Sequence, residues 1–150
     1  MLGDHLVFPI LLSQDLARSR DFYHGTLGLD VLREDEERII FRCGSGSQVT
    51  VTLSTTGTSD TQTQLAWRVP DLRAELDELR ASGVRIEAYD APDPKTDADG
   101  IADMGFAWAA WILDPSGNAL GIIQPKTAPS DPAPRLDRRG SDSRRGGSPE

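Results

Sequence analysis

The chain has little cysteine, histidine and lysine, and it has no long hydrophobic segment. Its single cysteine cannot form an intramolecular disulfide or a cysteine-rich zinc site, so a hydrophobic core must hold the fold. No apolar run approaches the roughly 20 residues of a membrane-spanning helix, and Met1–His5 lacks the basic start of a secretory signal. These absences argue against a membrane or exported protein and predict a cytoplasmic location.

Negative charge dominates the residues that are present. The 150 residues include 24 acidic and 16 basic side chains, which give a net charge of −8. Such a surface repels a phosphate backbone, so we do not expect nucleic-acid binding. Residues 127–150 differ in being rich in Pro, Gly, Ser and Arg, with Leu136 as their only large apolar side chain. We therefore predict one domain over residues 1–126 and a disordered tail over residues 127–150.

An internal repeat divides the predicted domain into two similar halves, at about residues 5–56 and 62–125. In each half an apolar run leads to an Asp-Leu pair, a helical stretch with one apolar face, and a glycine. The aspartates are Asp15 and Asp71, and the glycines are Gly28 and Gly83. Aspartate caps a helix start by accepting backbone N–H bonds, and glycine adopts the left-handed conformation just past a helix end. The repeat therefore predicts one helix in each half.

Three strand signals follow each predicted helix. They lie at residues 29–32, 38–42 and 48–54 in the first half, and at residues 84–89, 106–113 and 119–124 in the second. Turn-forming residues at 44–47 and 114–118 join the last two strands of each set. With the apolar run before each helix, these signals predict an α+β fold of two tandem βαβββ modules, each a four-stranded sheet with one helix on one face.

The face of each sheet without a helix should be open to ligands, and period-two alternation indicates which side chains reach it. In the strand that begins the second module, residues 65, 67 and 69 are all apolar and belong under the helix, so Gln64 and Arg68 should face the opening. Phe8 and Ile10 alternate in the same way in the first strand.

One tryptophan should also line an open face. Trp108 and Trp111 are three residues apart on one predicted strand, so their indoles point to opposite faces. An indole in the opening would give a flat wall on which an aromatic ligand can stack. We expect Trp108 to take this role, although alternation alone leaves the choice between the two open.

Several local motifs together resemble those of the vicinal oxygen chelate superfamily. They are Phe8-Pro9-Ile10-Leu11-Leu12, Asp15-Leu16, Asp21-Phe22-Tyr23, Leu27-Gly28-Leu29 and the turn Asp114-Pro115-Ser116-Gly117-Asn118. The resemblance covers about residues 6–125. This superfamily includes glyoxalase I, extradiol dioxygenases, fosfomycin-resistance enzymes and bleomycin-binding resistance proteins. The resemblance implies paired βαβββ modules that curl into a mixed-sheet cup with the helices on the outer face.

The resemblance also implies where a metal would bind. Enzymes of the superfamily place His, Glu or Gln near the start of the first strand and the centre of the last strand of each module. Counted from the shared motifs, these positions hold Phe8, Thr52, Gln64 and Gly121. Zinc and related ions need three or four imidazole, thiolate or carboxylate donors, which these residues do not supply. We therefore expect no metal and no other cofactor.

The remaining candidate ligands and nucleophiles have structural interpretations. His5 lies three residues before Phe8, the metal position of the first strand, so its side chain should point to the other face. His24 lies within the first predicted helix. Cys43, at the end of a predicted strand, is interpreted as a small buried hydrophobic residue.

The longest predicted connection, residues 90–105, is strongly acidic. Its aspartates are Asp90, Asp93, Asp97, Asp99 and Asp103. Two interpretations remain open: an acidic lid that grips a basic ligand over the cup, or a mobile solvated loop. The fragment Asp97-x-Asp99-Gly100 matches only part of a calcium-binding loop.

Without a metal, the pattern is most similar to the drug-sequestering, bleomycin-resistance branch of the superfamily. That similarity implies a homodimer that binds a small aromatic or cationic organic molecule, such as an antibiotic, and an acidic protein attracts a cationic ligand. The residues expected to bind it are Phe8, Ile10, Thr52, Gln64, Arg68, Trp108 and Gly121.

Two alternatives stay open. One is a glyoxalase- or dioxygenase-like lyase or isomerase acting in the same cup, with Asp103, Tyr89 or His24 in acid–base roles and Gln64 as a hydrogen-bond donor. The other is a purely structural dimer module whose tail recruits a partner and which binds no small molecule.

Overall fold

Two mixed four-stranded sheets, each with one α-helix, make up the part of the chain that the structure describes. The computed structural model describes residues 1–56, 62–90 and 94–127. The first module contains β1 (Ile10–Ser13), α1 (Leu16–Arg20), β2 (Asp30–Glu34), β3 (Arg38–Arg42) and β4 (Gln48–Leu53). The second contains β5 (Thr63–Arg68), α2 (Leu72–Ala81), β6 (Ala102–Asp103), β7 (Ala107–Leu113) and β8 (Ala119–Pro125).

The strand order is the same in both modules. It is β1-β4-β3-β2 in the first sheet and β5-β8-β7-β6 in the second, and β1 and β5 run parallel to β4 and β8. The other pairings are antiparallel. The fold class predicted from the repeat is therefore confirmed. The predicted tail, apart from Thr127, lies outside the described residues, and so does the segment between the modules at residues 57–61.

The helix boundaries follow the residues that predicted them. Asp15 Oδ1 accepts a hydrogen bond from the Arg18 backbone N–H at 3.0 Å, and Asp71 Oδ1 accepts one from that of Ala74 at 3.1 Å. Past the helix ends, Gly28 and Gly83 have φ of +76° and +81°, which L side chains avoid. The first helix differs in one respect, because α1 continues directly as a π-helical segment, Asp21–Thr26.

The predicted strand at residues 84–89 is wrong. Among the described residues, its only backbone hydrogen bond to the sheet runs from the Glu87 N–H to the Trp111 carbonyl at 2.8 Å, and β6 pairs with the same edge of β7 at Trp108 and Ala109. Val84 and Ile86 alternate because both pack against the core, not because the segment belongs to the sheet. A burial pattern with period two therefore does not distinguish this irregular edge segment from a strand.

One hydrophobic core joins the two modules. It contains the helix-facing side chains of both sheets, among them Leu11, Phe41 and Val51 from the first module and Ile112 and Leu120 from the second. The opposite face of each sheet stays outside this core. In the described part of the chain, no helix is long and apolar enough to cross a membrane.

A buried polar cluster connects the modules at the predicted turn after β7. The Tyr23 hydroxyl donates to Asp114 Oδ2 at 2.8 Å, although the two residues are 91 positions apart. Asn118 Nδ2 donates to the same carboxylate at 2.7 Å and to the Leu12 carbonyl at 2.9 Å. The Asp-Pro-Ser-Gly-Asn turn is thus more than a connection, because it fixes the second module against β1 and the first helix.

Candidate functional site

Ile10 and Thr52 lie on the open face of the first sheet. Strand register pairs Ile10 with Thr50 and Leu12 with Thr52, so these four side chains share a face, opposite the core residue Leu11. Ile10 is 58% exposed, which is unusual for an isoleucine in a strand. Phe8 precedes β1 and is 50% exposed. The first module therefore presents an apolar open face with threonine hydroxyls beside it.

Arg68 and Gly121 share the open face of the second sheet. Ala66 pairs with Gly121, Arg68 with Ile123, and Gly121 in turn with Trp111. Gln64 is the extra residue at a register shift between Thr63 and Leu65, and its Nε2 donates to the Gln62 carbonyl at 3.1 Å. Of the predicted residues of this module, Arg68 and Gly121 thus share one face, and Gln64 lies at the bulge of the same strand as Arg68.

Trp108 lies on the other side of the sheet, so the expectation that it lines the open face is wrong. It pairs with Gln124, whose Oε1 accepts the Leu72 backbone N–H at the start of α2. Lys126 Nζ lies 5.0 Å from the centre of the indole ring, a cation–π contact on the helix side. Trp111 is the indole of the open face. The choice could not be made from alternation because it depends on the register of β7 against β8.

The Trp111 indole crosses the sheet above Gly121. It starts on β7, and its Nε1 donates to Thr63 Oγ1 on β5 at 3.0 Å, with β8 between those two strands. Neighbouring strands are about 4.8 Å apart, so the ring must extend over β8 to reach that hydroxyl. Gly121 is the residue beneath it, and a Cβ there would come within 3.2 Å of both Ala66 Cβ and Thr63 Cγ2. Glycine at this position avoids those two close contacts with β5.

A cavity of about 410 Å³ lies beside this indole. Its lining residues all belong to the second module: Gln62, Thr63, Glu87, Tyr89, Pro94, Trp111, Leu113 and Gly117. The Tyr89 ring meets the indole edge-to-face, with centroids 5.7 Å apart and planes at 78°. Burial, and then the negative charge of Glu87, raises the pKa of the Tyr89 hydroxyl above its ordinary value. Tyr89 was a candidate from sequence only as an acid or base, and Glu87 was assigned to a strand.

A transition metal does not fit the open faces. The four positions that the superfamily's enzymes use for metal binding are occupied by Phe8, Thr52, Gln64 and Gly121. Their side chains are a phenyl ring, a hydroxyl, a carboxamide and a hydrogen atom, and the Trp111 indole lies over Gly121. Within residues 1–56, 62–90 and 94–127, no group of three or more His, Cys, Asp and Glu is placed to hold an ion. His24 Nδ1 forms a hydrogen bond with the Leu29 carbonyl oxygen at 2.7 Å, so this histidine has a structural role.

The acidic connection is tied to α2 where it is described. Arg73 Nη1 donates to Asp99 Oδ2 at 2.8 Å, and Asp97 Oδ1 accepts the backbone N–H groups of Asp99 and Ile101. Asp103 accepts from Lys126 Nζ at 2.6 Å, and this bond lowers the pKa of its carboxyl. These three carboxylates therefore stabilise the loop and its contact with the helix side, and they do not reach the open face. Residues 91–93 lie outside the described part.

The sequence profile of the Glyoxalase/Bleomycin resistance protein/Dioxygenase superfamily matches residues 4–122. The chain belongs to this superfamily. No curated protein sequence matches the chain significantly.

Solved structures show how widely the superfamily fold is used. The bleomycin resistance determinant encoded on the transposon Tn5 is 19% identical, with 82% of this chain and 99% of that one covered, at a TM-score of 0.63. TnmS3, an antibiotic binding protein from Streptomyces sp. CB03234, is 23% identical, with 81% and 95% covered, at 0.60. Lactoylglutathione lyase from Agrobacterium tumefaciens is 15% identical, with 80% and 92% covered, at 0.58. At these identities the likeness establishes the fold, which binding proteins and enzymes of the superfamily share.

Proposed function

We propose that this chain is a metal-free member of the superfamily that binds a small aromatic or cationic organic molecule and sequesters it, as a bleomycin-resistance protein does. The observation that carries the proposal is the Trp111 indole over Gly121, where a superfamily enzyme would place a metal donor. An indole on a sheet is a stacking surface for an aromatic ligand. Gln64, Thr52 and Arg68 would supply the polar groups of the ligand site.

The net charge of −8 supports a cationic ligand, because an acidic surface attracts it from solution and accelerates its binding. Two similar structures, an antibiotic binding protein and a bleomycin resistance determinant, support an antibiotic as the small organic ligand.

A second copy of the chain would complete the ligand site as a homodimer. The exposed apolar residues Phe8, Ile10 and Leu12 give the first sheet a surface that a monomer would leave in water. A dimer that set this face against the Trp111 face of a second copy would form a cup from both modules. Analytical ultracentrifugation measures the mass directly, and a chain that stays monomeric at micromolar concentration would contradict this part of the proposal.

Thermal unfolding with a panel of natural products tests the function itself. The panel contains bleomycin-type glycopeptides, anthracyclines and other aromatic or cationic antibiotics. A ligand present at 100 times its Kd stabilises the folded state by about 2.7 kcal/mol, which raises Tm by several degrees.

The two tryptophans make a matched pair of variants. Trp111→Leu should abolish the shift, whereas Trp108→Leu, on the helix side, should retain it. The proposal fails if no compound shifts Tm, or if the protein converts the thiohemiacetal of methylglyoxal and glutathione in a reaction that a chelator stops. The latter result would favour the glyoxalase-like alternative.

A further inference from the structure

The cavity beside Trp111 contains a carboxylate whose local partners are weak. The Glu87 side chain is only 18% exposed, and its backbone N–H is fixed by the bond to the Trp111 carbonyl. Within the described residues, no hydrogen bond reaches its carboxylate. The nearest cation is Arg85, with Nε 3.7 Å from Oε1, and that arginine side chain is 85% exposed. An ion pair of this length with a solvated arginine contributes little, so the carboxylate oxygens remain available to a ligand.

Two aromatic rings complete the surroundings of this carboxylate. Trp111 is held by its bond to Thr63, and Tyr89 is held by Thr96, whose Oγ1 accepts the Tyr89 backbone N–H at 2.9 Å and whose own N–H donates to the Tyr89 carbonyl at 3.0 Å. The faces of indole and phenol rings carry partial negative charge and attract cations. Because the Trp111 ring and the Tyr89 backbone are already held, the carboxylate and the two rings form a preorganised site for an organic cation.

We propose that Glu87, Tyr89 and Trp111 form a subsite for an organic ammonium group. This subsite makes the protein prefer cationic aromatic ligands over neutral ones. The proposal rests on the proposed function, since it assumes that a ligand binds on the Trp111 face. It narrows the ligand class to molecules with an aromatic ring and an amine on a short arm. The ring would lie on the open face, and the amine would enter the cavity of about 410 Å³.

The probes are 2-phenylethylamine, which is protonated at pH 7, and the neutral analogue 2-phenylethanol. Binding is followed by the indole N–H signal of Trp111 in a ¹⁵N NMR spectrum, assigned with Trp111→Phe. We expect the amine to move this signal and to bind about fivefold more tightly than the alcohol, the ratio expected of a partly exposed ion pair. Salt should weaken amine binding and leave alcohol binding unchanged.

Three variants separate the carboxylate from its surroundings. Glu87→Gln should remove the preference for the amine and leave the affinity for the alcohol unchanged. Arg85→Ala removes the competing cation and should strengthen amine binding about twofold, a gain that a damaged fold would not give. Glu78→Gln, an exposed acid on α2, is the matched control and should change neither affinity.

Equal affinity for amine and alcohol in the unmodified protein would overturn the proposal, and so would an amine preference that survives Glu87→Gln. The salt dependence keeps the proposal testable on the unmodified protein if Glu87→Gln does not fold. A natural product that raises Tm through Trp111, without any amine preference, would leave the proposed function standing and overturn the subsite. An amine preference with no stabilising natural product would leave the subsite standing and overturn the proposed function.

Discussion

Replacing Tyr23 with phenylalanine tests the polar cluster that joins the modules. The Tyr23 ring is fully buried, and its hydroxyl donates to Asp114 Oδ2 at 2.8 Å. A hydrogen bond to a charged acceptor contributes about 1.5–3 kcal/mol, and the Asp114 carboxylate keeps Asn118 Nδ2 and the backbone N–H groups of Ser116 and Asn118. Because the carboxylate is not left unpaired, we expect Tyr23→Phe to lower the free energy of unfolding by about 2 kcal/mol at pH 8.

The same variant should show a distinct pH dependence. Burial, and then the charge of Asp114, raises the pKa of Tyr23 well above its ordinary value. Below pH 10 the residue is protonated in both the folded and the unfolded chain, so the hydrogen bond contributes fully. Above pH 10 the unfolded tyrosine ionises and the folded one does not, so the wild-type protein loses stability relative to the variant. At pH 11 this loss is about 1.4 kcal/mol. The difference in unfolding free energy between the wild-type protein and Tyr23→Phe should therefore narrow to well under 1 kcal/mol.

Urea unfolding of both proteins between pH 8 and pH 11 measures this difference directly. Tyr89→Phe, measured at pH 8, is the control, because the Tyr89 hydroxyl makes no hydrogen bond to any described residue and its loss should lower the free energy of unfolding by less than about 0.5 kcal/mol. A difference between wild type and Tyr23→Phe that stays constant up to pH 11, or one near zero at pH 8, would refute a buried charge-assisted bond between the modules.

Three further substitutions test local features of the fold by chemical denaturation. Gly121→Ala should lower the free energy of unfolding by about 1 kcal/mol, because the new Cβ lies 3.2 Å from Ala66 Cβ. The near-ultraviolet circular dichroism of Trp111 should also change, and an unchanged signal would contradict the indole's place over β8. Gly100→Ala should cost about 2 kcal/mol or more, since φ is +81° and the Cβ would be 2.7 Å from Ile86 Cγ2; a neutral effect would contradict that close approach. Asp71→Ala should cost about 1 kcal/mol through loss of the α2 cap, whereas Asp77→Ala, an exposed ion-pair residue, should cost less than half of that; equal effects would argue against capping.

Local signals were enough to predict the architecture. Asp15 and Asp71 begin helices because their side chains satisfy N–H groups of the first turn, and Gly28 and Gly83 end them because they adopt positive φ. These effects act within a few residues, so a sequence contains all the information they need. Their repetition then predicted the number of modules, whereas the strand order within each sheet came from the structure.

Contacts between distant residues could not be predicted. Nothing near Tyr23 in the sequence indicates Asp114, and the choice of Trp111 over Trp108 depends on the pairing of β7 with β8. The segment at residues 84–89 was misassigned because burial of Val84 and Ile86 imitates strand alternation. Glu87 was missed as a site residue for the same reason, since its place beside Tyr89 and Trp111 arises from an irregular edge.

Elemental analysis of the purified chain, expressed in medium supplemented with zinc, iron, manganese and nickel, tests the central claim most directly. The donor-poor positions Phe8, Thr52, Gln64 and Gly121, with the Trp111 indole above the last, predict metal content far below one equivalent per chain. One equivalent of any of these ions, retained through gel filtration and absent from a protein denatured and refolded without metal, would contradict it.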